Sequence, residues 1–229
     1  MKSENVERSP GDIRAYGLTH LDKGIPFKEI VMRHGPPADC EIPEPRWPAG
    51  FSFHTYESGD MDAWADIESS VDEFADHASA VVRFTREFLP HEDELRRRMV
   101  FVADTSGRLC ATACAWTVSY GGVRRALVHW VGVMPDVQGL GLARAMTAWV
   151  LRRFAELHPG EEIYLRTQTW SHKAIGLYLR MGFRPTDERH AYLAKYNEYS
   201  EARKVLAGVM PSETLAMFTP TFARTGALS

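Results

Sequence analysis

The stretch from Val133 to Met146, VMPDVQGLGLARAM, constrains this chain more than any other. An apolar run closes on Pro135, Gly139 and Gly141 follow one residue apart, and a helical period begins. A strand, a glycine turn and a helix in that order gather backbone N–H groups at the positive end of a helix dipole, an arrangement that suits an anion. The helix is amphipathic, with Ala143, Met146, Thr147, Val150, Leu151 and Phe154 on one face. HPG closes it, and Gly160 is expected at C′.

The rest of the chain supplies the frame. Residues 1–48 read as an irregular arm, because HGPPADCEIPEPRWP holds five prolines in 15 residues. FKEIVMRH, just before it, reads as a short strand. From Gly50 the text becomes regular. FSFHTY alternates as a strand, and SGDMDAWADIESSVDEF is a helix with Asp60 as N-cap and Trp64, Ile67, Val71 and Phe74 on one face. HASAVVRFTREFL is a second helix, expected to bury Ala78, Val81, Val82, Thr85, Phe88 and Leu89. EDELRRRM adds a helical turn. VFVAD, LCATACAWTV and ALVHWVGV then form an antiparallel meander across the turns TSGR and SYGGVR. After the glycine turn and its helix come the strand IYLRTQT, the helix SHKAIGLYLRMGF and a tail with one helical stretch over 191–208. The order βαα, βββ, αβα predicts an α/β (α+β) protein with a mixed, mostly antiparallel sheet and flanking helices. The expected divisions are an arm over 1–48, a domain over 49–187 and a tail over 188–229.

Composition closes off several functions. The net charge of −3 lacks the strong overall basic excess of a typical nucleic-acid binder, and no apolar run reaches membrane-spanning length. Three cysteines without a CxxC pair argue against a disulfide framework or a zinc ribbon. The start, MKSENVERSP, has no apolar h-region, so a cytoplasmic location is expected, with neither nucleic acid nor membrane as partner.

Three chemistries compete for the turn. A Walker A loop needs Lys and Ser or Thr after its last glycine, and Leu142 and Ala143 stand there instead. A dinucleotide fingerprint needs a third glycine, where this chain has Arg144, and it opens a βαβ unit where this chain has a meander. The third is an acyl-CoA turn. Gln138, Gly139, Leu140, Gly141, Leu142 and Ala143 match the signature of the GNAT acetyltransferases, Gln or Arg, two residues, Gly, one residue, Gly or Ala. Small residues at 139, 141 and 143 let backbone amides close on a pyrophosphate. A second motif agrees: SHKAIGLYLRMGF carries Ala174, Leu177, Tyr178, Gly182 and Phe183 in the family's places, with Ser171 where Asn is common. From Phe51 to Phe183 the chain resembles this family. Two strands usually follow the family's GF, and no clear pair is visible here.

The resemblance implies transfer of an acetyl group from acetyl-CoA, as co-substrate and without a metal, to a primary amine of a small molecule or a protein. It implies a β-splay between HWVGV and YLRTQT that holds the acyl-CoA. Val131 and Val133 would give main-chain hydrogen bonds, and Ser171 and Ala174 would join the glycine turn in the binding site. Tyr178 is the candidate proton donor to the leaving thiolate, or else a core tyrosine. His129 is expected to share a strand face with Val131 and Val133, as general base or as a packed histidine. Some family members use only ordered water for this step. Glu68, Glu73 and Phe74, with Asp72 and Asp76 nearby, would wall the acceptor side, or else form a solvated acidic helix end. Trp116 and Trp130 are core aromatics or pocket lining. LRRR (95–98) is a solvated basic turn or a phosphate contact, and His172 caps its helix or faces solvent. Two alternatives stay open: a CoA-binding sensor without turnover, and a nucleotide-binding oxidoreductase resting only on Gly139 and Gly141. A homodimer is also compatible with the sequence.

Overall fold

The computed structural model describes residues 21–120, 123–186 and 197–220. Seven strands form one sheet: β1 (Glu29–His34), β2 (Ser52–Thr55), β3 (Met99–Ala103), β4 (Leu109–Tyr120), β5 (Val123–Val133), β6 (Ile163–Gln168) and β7 (Arg184–Pro185). Their order is β2-β3-β4-β5-β6-β1-β7. Among the described residues β5 and β6 alone run parallel; every other neighbouring pair is antiparallel. The helices are α1 (Met61–Ser70), α2 (His77–Glu87), α3 (Glu92–Arg98), α4 (Leu142–Leu157), α5 (His172–Arg180), α6 (Tyr199–Leu206) and α7 (Ser212–Met217). No described helix is long and apolar enough to cross a membrane.

The two sheet faces are covered by different helices. On one face Trp64 of α1, Phe84 of α2 and Leu95 of α3 pack with Phe101, Cys114 and Trp116. On the other, Met146, Val150 and Phe154 of α4 and Ile175 and Leu179 of α5 pack with Val100, Val102 and Ala113. The strand β3, MVFVA, is apolar throughout because it is buried on both faces. The short strand expected in FKEIVMRH is present, and it lies inside the sheet. Its six residues pair with β6, and Met32 and Arg33 pair with β7. Among the described residues after GF, Arg184–Pro185 pairs with β1, which comes from the other end of the chain; residues 187–196 lie outside the described ones.

Four local expectations are corrected. Asp60 precedes α1 but does not cap it with its side chain. Its Oδ2 accepts from Glu57 N–H at 2.8 Å and lies 3.1 Å from His54 Nε2. The helix stops at Ser70, so Phe74 meets Trp64 from the following loop. The core face of α2 is Ala80 and Phe84, continued by Phe88, while Val82 is 58% exposed. The two aromatic rings bury far more apolar area than the valines can, and they set the helix's rotation. Gly160 is not a left-handed cap; α4 ends on His158 with an extended φ of −147°. In the tail, α6 covers 199–206 of the expected helix, and residues 191–196 lie outside the described ones.

The proline-rich arm runs along α4. Ala38 N–H donates to Pro159 O, Arg152 donates to the carbonyls of Ile42 and Pro43, and Trp47 packs on the α4-side core. It ends at Pro48, beside Gly141.

Candidate active site

The site begins with a fault in β5. Opposite β4, Gly132 pairs with Thr112 and His129 with Cys114, so Trp130 and Val131 together oppose Ala113. This is a β-bulge. Trp130 takes it up at φ +48°, a left-handed conformation that is uncommon outside glycine. Packing holds it there: its ring lies edge-on to Trp64 at 5.5 Å and tilted on Phe74 at 5.2 Å.

The bulge overturns the expectation that His129, Val131 and Val133 share a face. His129 lies 4.9 Å from the Trp130 ring on the α1–α2 side. Val131 and Val133 pack with the α4-side core. Beyond Val128 and Leu165, β5 and β6 no longer pair. Met134 N–H donates to Cys110 O, so by antiparallel alternation residues 132 and 134 face β4. The main-chain groups of Val131 and Val133 therefore face the opening gap. Gln138 Nε2 donates to the Val133 carbonyl at 2.8 Å, which leaves the Val133 N–H.

The glycine turn lies at the end of this strand. Gly139 and Gly141 adopt φ of +80° and +95°. A Cβ on Gly139 would meet no atom within 4 Å, and one on Gly141 would meet only Pro48 at 3.9 Å. Leu140 points outward at 53% exposed, and Leu142 is buried in the α4-side core. Gly141 at the N-cap of α4 has no side chain to offer, and among the described residues no side chain caps this helix end.

A single cleft of about 790 Å³ passes through the gap between β5 and β6. On the α4–α5 side it is lined by Val131, Val133, Ala143, Ser171, Ala174 and Tyr178. On the α1–α2 side it is lined by Glu68, Glu73, Glu87, His129 and Trp130, with Arg83 and Arg86 at its lip. Residues from both sequence motifs and from the acidic loop thus share one space. The ring of Tyr178 packs on Phe183 while the side chain reaches the cleft. Burial, then the charges of Glu73 and Glu68, push its phenol well up. Burial and the neighbouring Glu73 likewise hold the Glu68 carboxyl well above the usual carboxylate range. Burial raises Glu73 too, opposed by a hydrogen bond from Gln168. Glu87 differs: burial works upward, but the hydrogen bond and charge of His129, the charge of Arg83 and a hydrogen bond from Trp130 together hold its carboxyl low. The pair is close, with His129 Nε2 2.6 Å from Glu87 Oε1.

Other candidates fall elsewhere. Trp116 does not line the cleft; it packs edge-on to Phe88 at 5.0 Å as a core residue. Phe74 supports Trp130 from behind and does not line the cleft. Asp76 caps α2 by accepting from Ser79 N–H, and Asp72 pairs with Lys23. Arg96, Arg97 and Arg98 form ion pairs with Glu92 and Glu94, away from the cleft. His172 opens α5 with its Nε2 3.6 Å from Asp22. Sequence reasoning missed Glu87, Arg83 and Arg86. The i, i+4 spacing of Arg83 and Glu87 is visible in the sequence, but the approach of Glu87 to a strand 42 residues away is not.

A model described as the acetyltransferase (GNAT) family matches residues 60–183. Mycothiol acetyltransferase of Streptomyces bingchenggensis is 31% identical over 166 residues, covering 69% of this chain and 51% of that protein. The protein of the same name from Streptomyces coelicolor is 29% identical over 161 residues, covering 69% and 50%. The chain thus spans about half the length of these curated relatives. A GCN5-related N-acetyltransferase from Sphaerobacter thermophilus aligns with a TM-score of 0.56 at 21% identity, over 71% of this chain and 49% of that one. A tandem GNAT protein from the clavulanic acid biosynthesis pathway aligns at 0.52 and 18%, over 80% and 58%. At these identities the structural matches speak for the fold alone. The family match spans more than half of the chain and contains both the glycine turn and the Ala174–Phe183 helix motif, and the chain belongs to the GNAT acetyltransferase family.

Proposed function

We propose that this protein transfers an acetyl group from acetyl-CoA directly to the primary amine of a small molecule. The observation that carries the reading is the single cleft through the β5–β6 gap, with a glycine turn at the end of β5 and carboxylates on its far side. The turn Gln138–Ala143 fits a pyrophosphate, because the space over Gly139 is open and, among the described residues, no side chain caps α4. The N–H of Val133 and the main chain of Val131 would hold the pantetheine arm, with Ser171 and Ala174 along its path. A backbone N–H of the same strand would meet the oxyanion. Tyr178 would give its proton to the departing thiolate; its raised pKa keeps the phenol protonated until then. Glu68 and Glu73 give the acceptor side carboxyl oxygens that can accept hydrogen bonds from an ammonium, and the His129–Glu87 pair borders the same side. The curated relatives' name puts a mycothiol-related amine first among acceptors to try.

The test has two parts. Calorimetric titration of acetyl-CoA into the protein and into its Gly141→Glu variant should show binding to the first and none to the second. Release of free CoA thiol is then followed with glucosamine, cysteine, putrescine and a mycothiol-related amine. Retained affinity in Gly141→Glu refutes the phosphate site. Binding without turnover on any amine replaces the enzyme by a CoA-binding module.

A further inference from the structure

We infer that Glu68 is the group that takes the proton from the acceptor ammonium, held for that purpose against β5 by the absence of a side chain at Gly132. The inference rests on the acetyl-transfer reading and names a residue that reading leaves open.

Three observations converge on it. Glu68 is 1% exposed, and its Oε1 has no hydrogen-bond partner among the described residues. A buried carboxylate oxygen without a donor is costly unless something fills the place. The side chain lines the cleft, and an ammonium is the donor that the reaction brings there. Its position is also set against the strand: a Cβ on Gly132 would lie 2.8 Å from Glu68 Oε1. Gly132 stands between Val131 and Val133, whose main chain faces the gap. The carboxylate thus abuts the part of β5 along which the thioester would lie. His129 differs, since its Nε2 is already engaged by Glu87 at 2.6 Å.

The charge acting on Glu68 is that of Glu73, on the loop after α1, and the titratable and charged groups lining the same cleft are Arg83, Arg86 and Glu87 of α2, His129 of β5, Arg166 of β6, Glu29 of β1, and Lys173 and Tyr178 of α5. Burial, then the charge of Glu73, hold the Glu68 carboxyl well above the usual carboxylate range, so it keeps a captured proton more readily than an exposed carboxylate would. In the step itself, one ammonium N–H bond breaks and its proton goes to Glu68. The nitrogen lone pair forms the N–C bond. As the C–S bond breaks, sulfur takes the phenolic proton of Tyr178. The second nitrogen proton leaves and restores the phenol, and the proton on Glu68 passes to solvent.

The experiment uses the full chain and the fastest amine of the panel. Glu68→Gln keeps the side chain's size. Its kcat should fall by about 10²–10⁴, its acetyl-CoA affinity should stay within about twofold, and the acid limb of its kcat–pH profile should vanish. His129→Gln should keep that limb. Melting temperatures at pH 8 show whether each variant is folded, and Glu68→Gln should melt no lower than wild type, since it removes a buried carboxyl with an unpartnered oxygen. Unimpaired kcat in Glu68→Gln overturns the role, as does a limb that persists there and disappears in His129→Gln. These outcomes leave wild-type turnover intact and so differ from failure of the acetyl-transfer reading, in which no amine is turned over and the role falls with it.

Discussion

Replacing Gly132 with alanine tests the arrangement at its tightest point. The backbone there is not left-handed, so alanine meets no conformational penalty of its own. The new methyl would lie 2.7 Å from Ile67 Cγ2 and 2.8 Å from Glu68 Oε1. Ordinary carbon contacts are about 3.5–4.0 Å, so roughly 1 Å of separation has to be found. Glu68 can swing away. Ile67 cannot do so cheaply, because Cγ2 sits on its branched Cβ and the side chain is fully buried. Either the isoleucine leaves its rotamer or α1 lifts from β5. Overpacking of this kind costs about 1–3 kcal/mol, or a fall in Tm of about 2–12 °C for a chain of this size. Turnover should fall with it, because either movement carries Glu68 with α1. Differential scanning calorimetry measures the first effect and thiol release the second. Ile67→Leu moves the branch outward, so the double variant should recover at least about 0.5 kcal/mol relative to the sum of the single effects. A Gly132→Ala protein within about 0.5 kcal/mol of wild type, or strict additivity with Ile67→Leu, would refute the reasoning.

Two other substitutions address separate parts of the molecule. Tyr178→Phe should lower kcat by about 10²–10⁴ while leaving acetyl-CoA affinity unchanged, as read by steady-state kinetics and calorimetry; equal turnover would return Tyr178 to the core. His158 lies where α4 ends, facing Arg98 of α3, Arg124 of β5 and Glu161 of the next loop. Burial lowers its pKa, with the two arginines adding to the effect and Glu161 opposing it. A histidine whose pKa is lowered by folding costs no stability above its unfolded value, near 6.5, and progressively more as pH falls toward the folded value. The Tm of the wild type should therefore drop more steeply from pH 7 to 5 than that of His158→Gln. Parallel curves would show that the cluster does not couple to protonation.

Much of the frame was legible because it is written locally. The turn Gln138–Ala143 needs glycines where φ is positive, and the face of α4 needs one helical period; both can be read without the rest of the chain. The failures share a different cause. Nothing beside Trp130 announces a left-handed residue, since Trp64 and Phe74, distant in the sequence, hold it in place. In α2 ring area outweighs the count of small apolar residues, so Phe84, which lies outside the stripe expected from the sequence, sets the rotation. Asp60 looked like a cap, but His54 and the Glu57 amide compete for the same carboxylate. The acidic loop split three ways on tertiary grounds. Glu68 and Glu73 face the cleft, Asp76 caps α2, and Asp72 holds Lys23.

The bulge at Trp130 accounts for more of the site than any catalytic side chain does. A regular β5 would put His129, Val131 and Val133 on one face. With two residues opposite Ala113, His129 stays on the α1–α2 side and the valines turn to the α4 side. One inserted residue thus divides the strand between the two ends of a cleft. The same fault lies just beyond the last paired residues of β5 and β6, where the gap opens. It also brings Gly132, the one residue there without a side chain, opposite Glu68. A left-handed non-glycine residue costs about 1–3 kcal/mol, and here the rings of Trp64 and Phe74 hold that strain at the point where the cleft needs it. Removing a ring from this cluster should therefore close the gap before it unfolds the sheet, because β3 and β4 keep their own pairing and their own core on both faces.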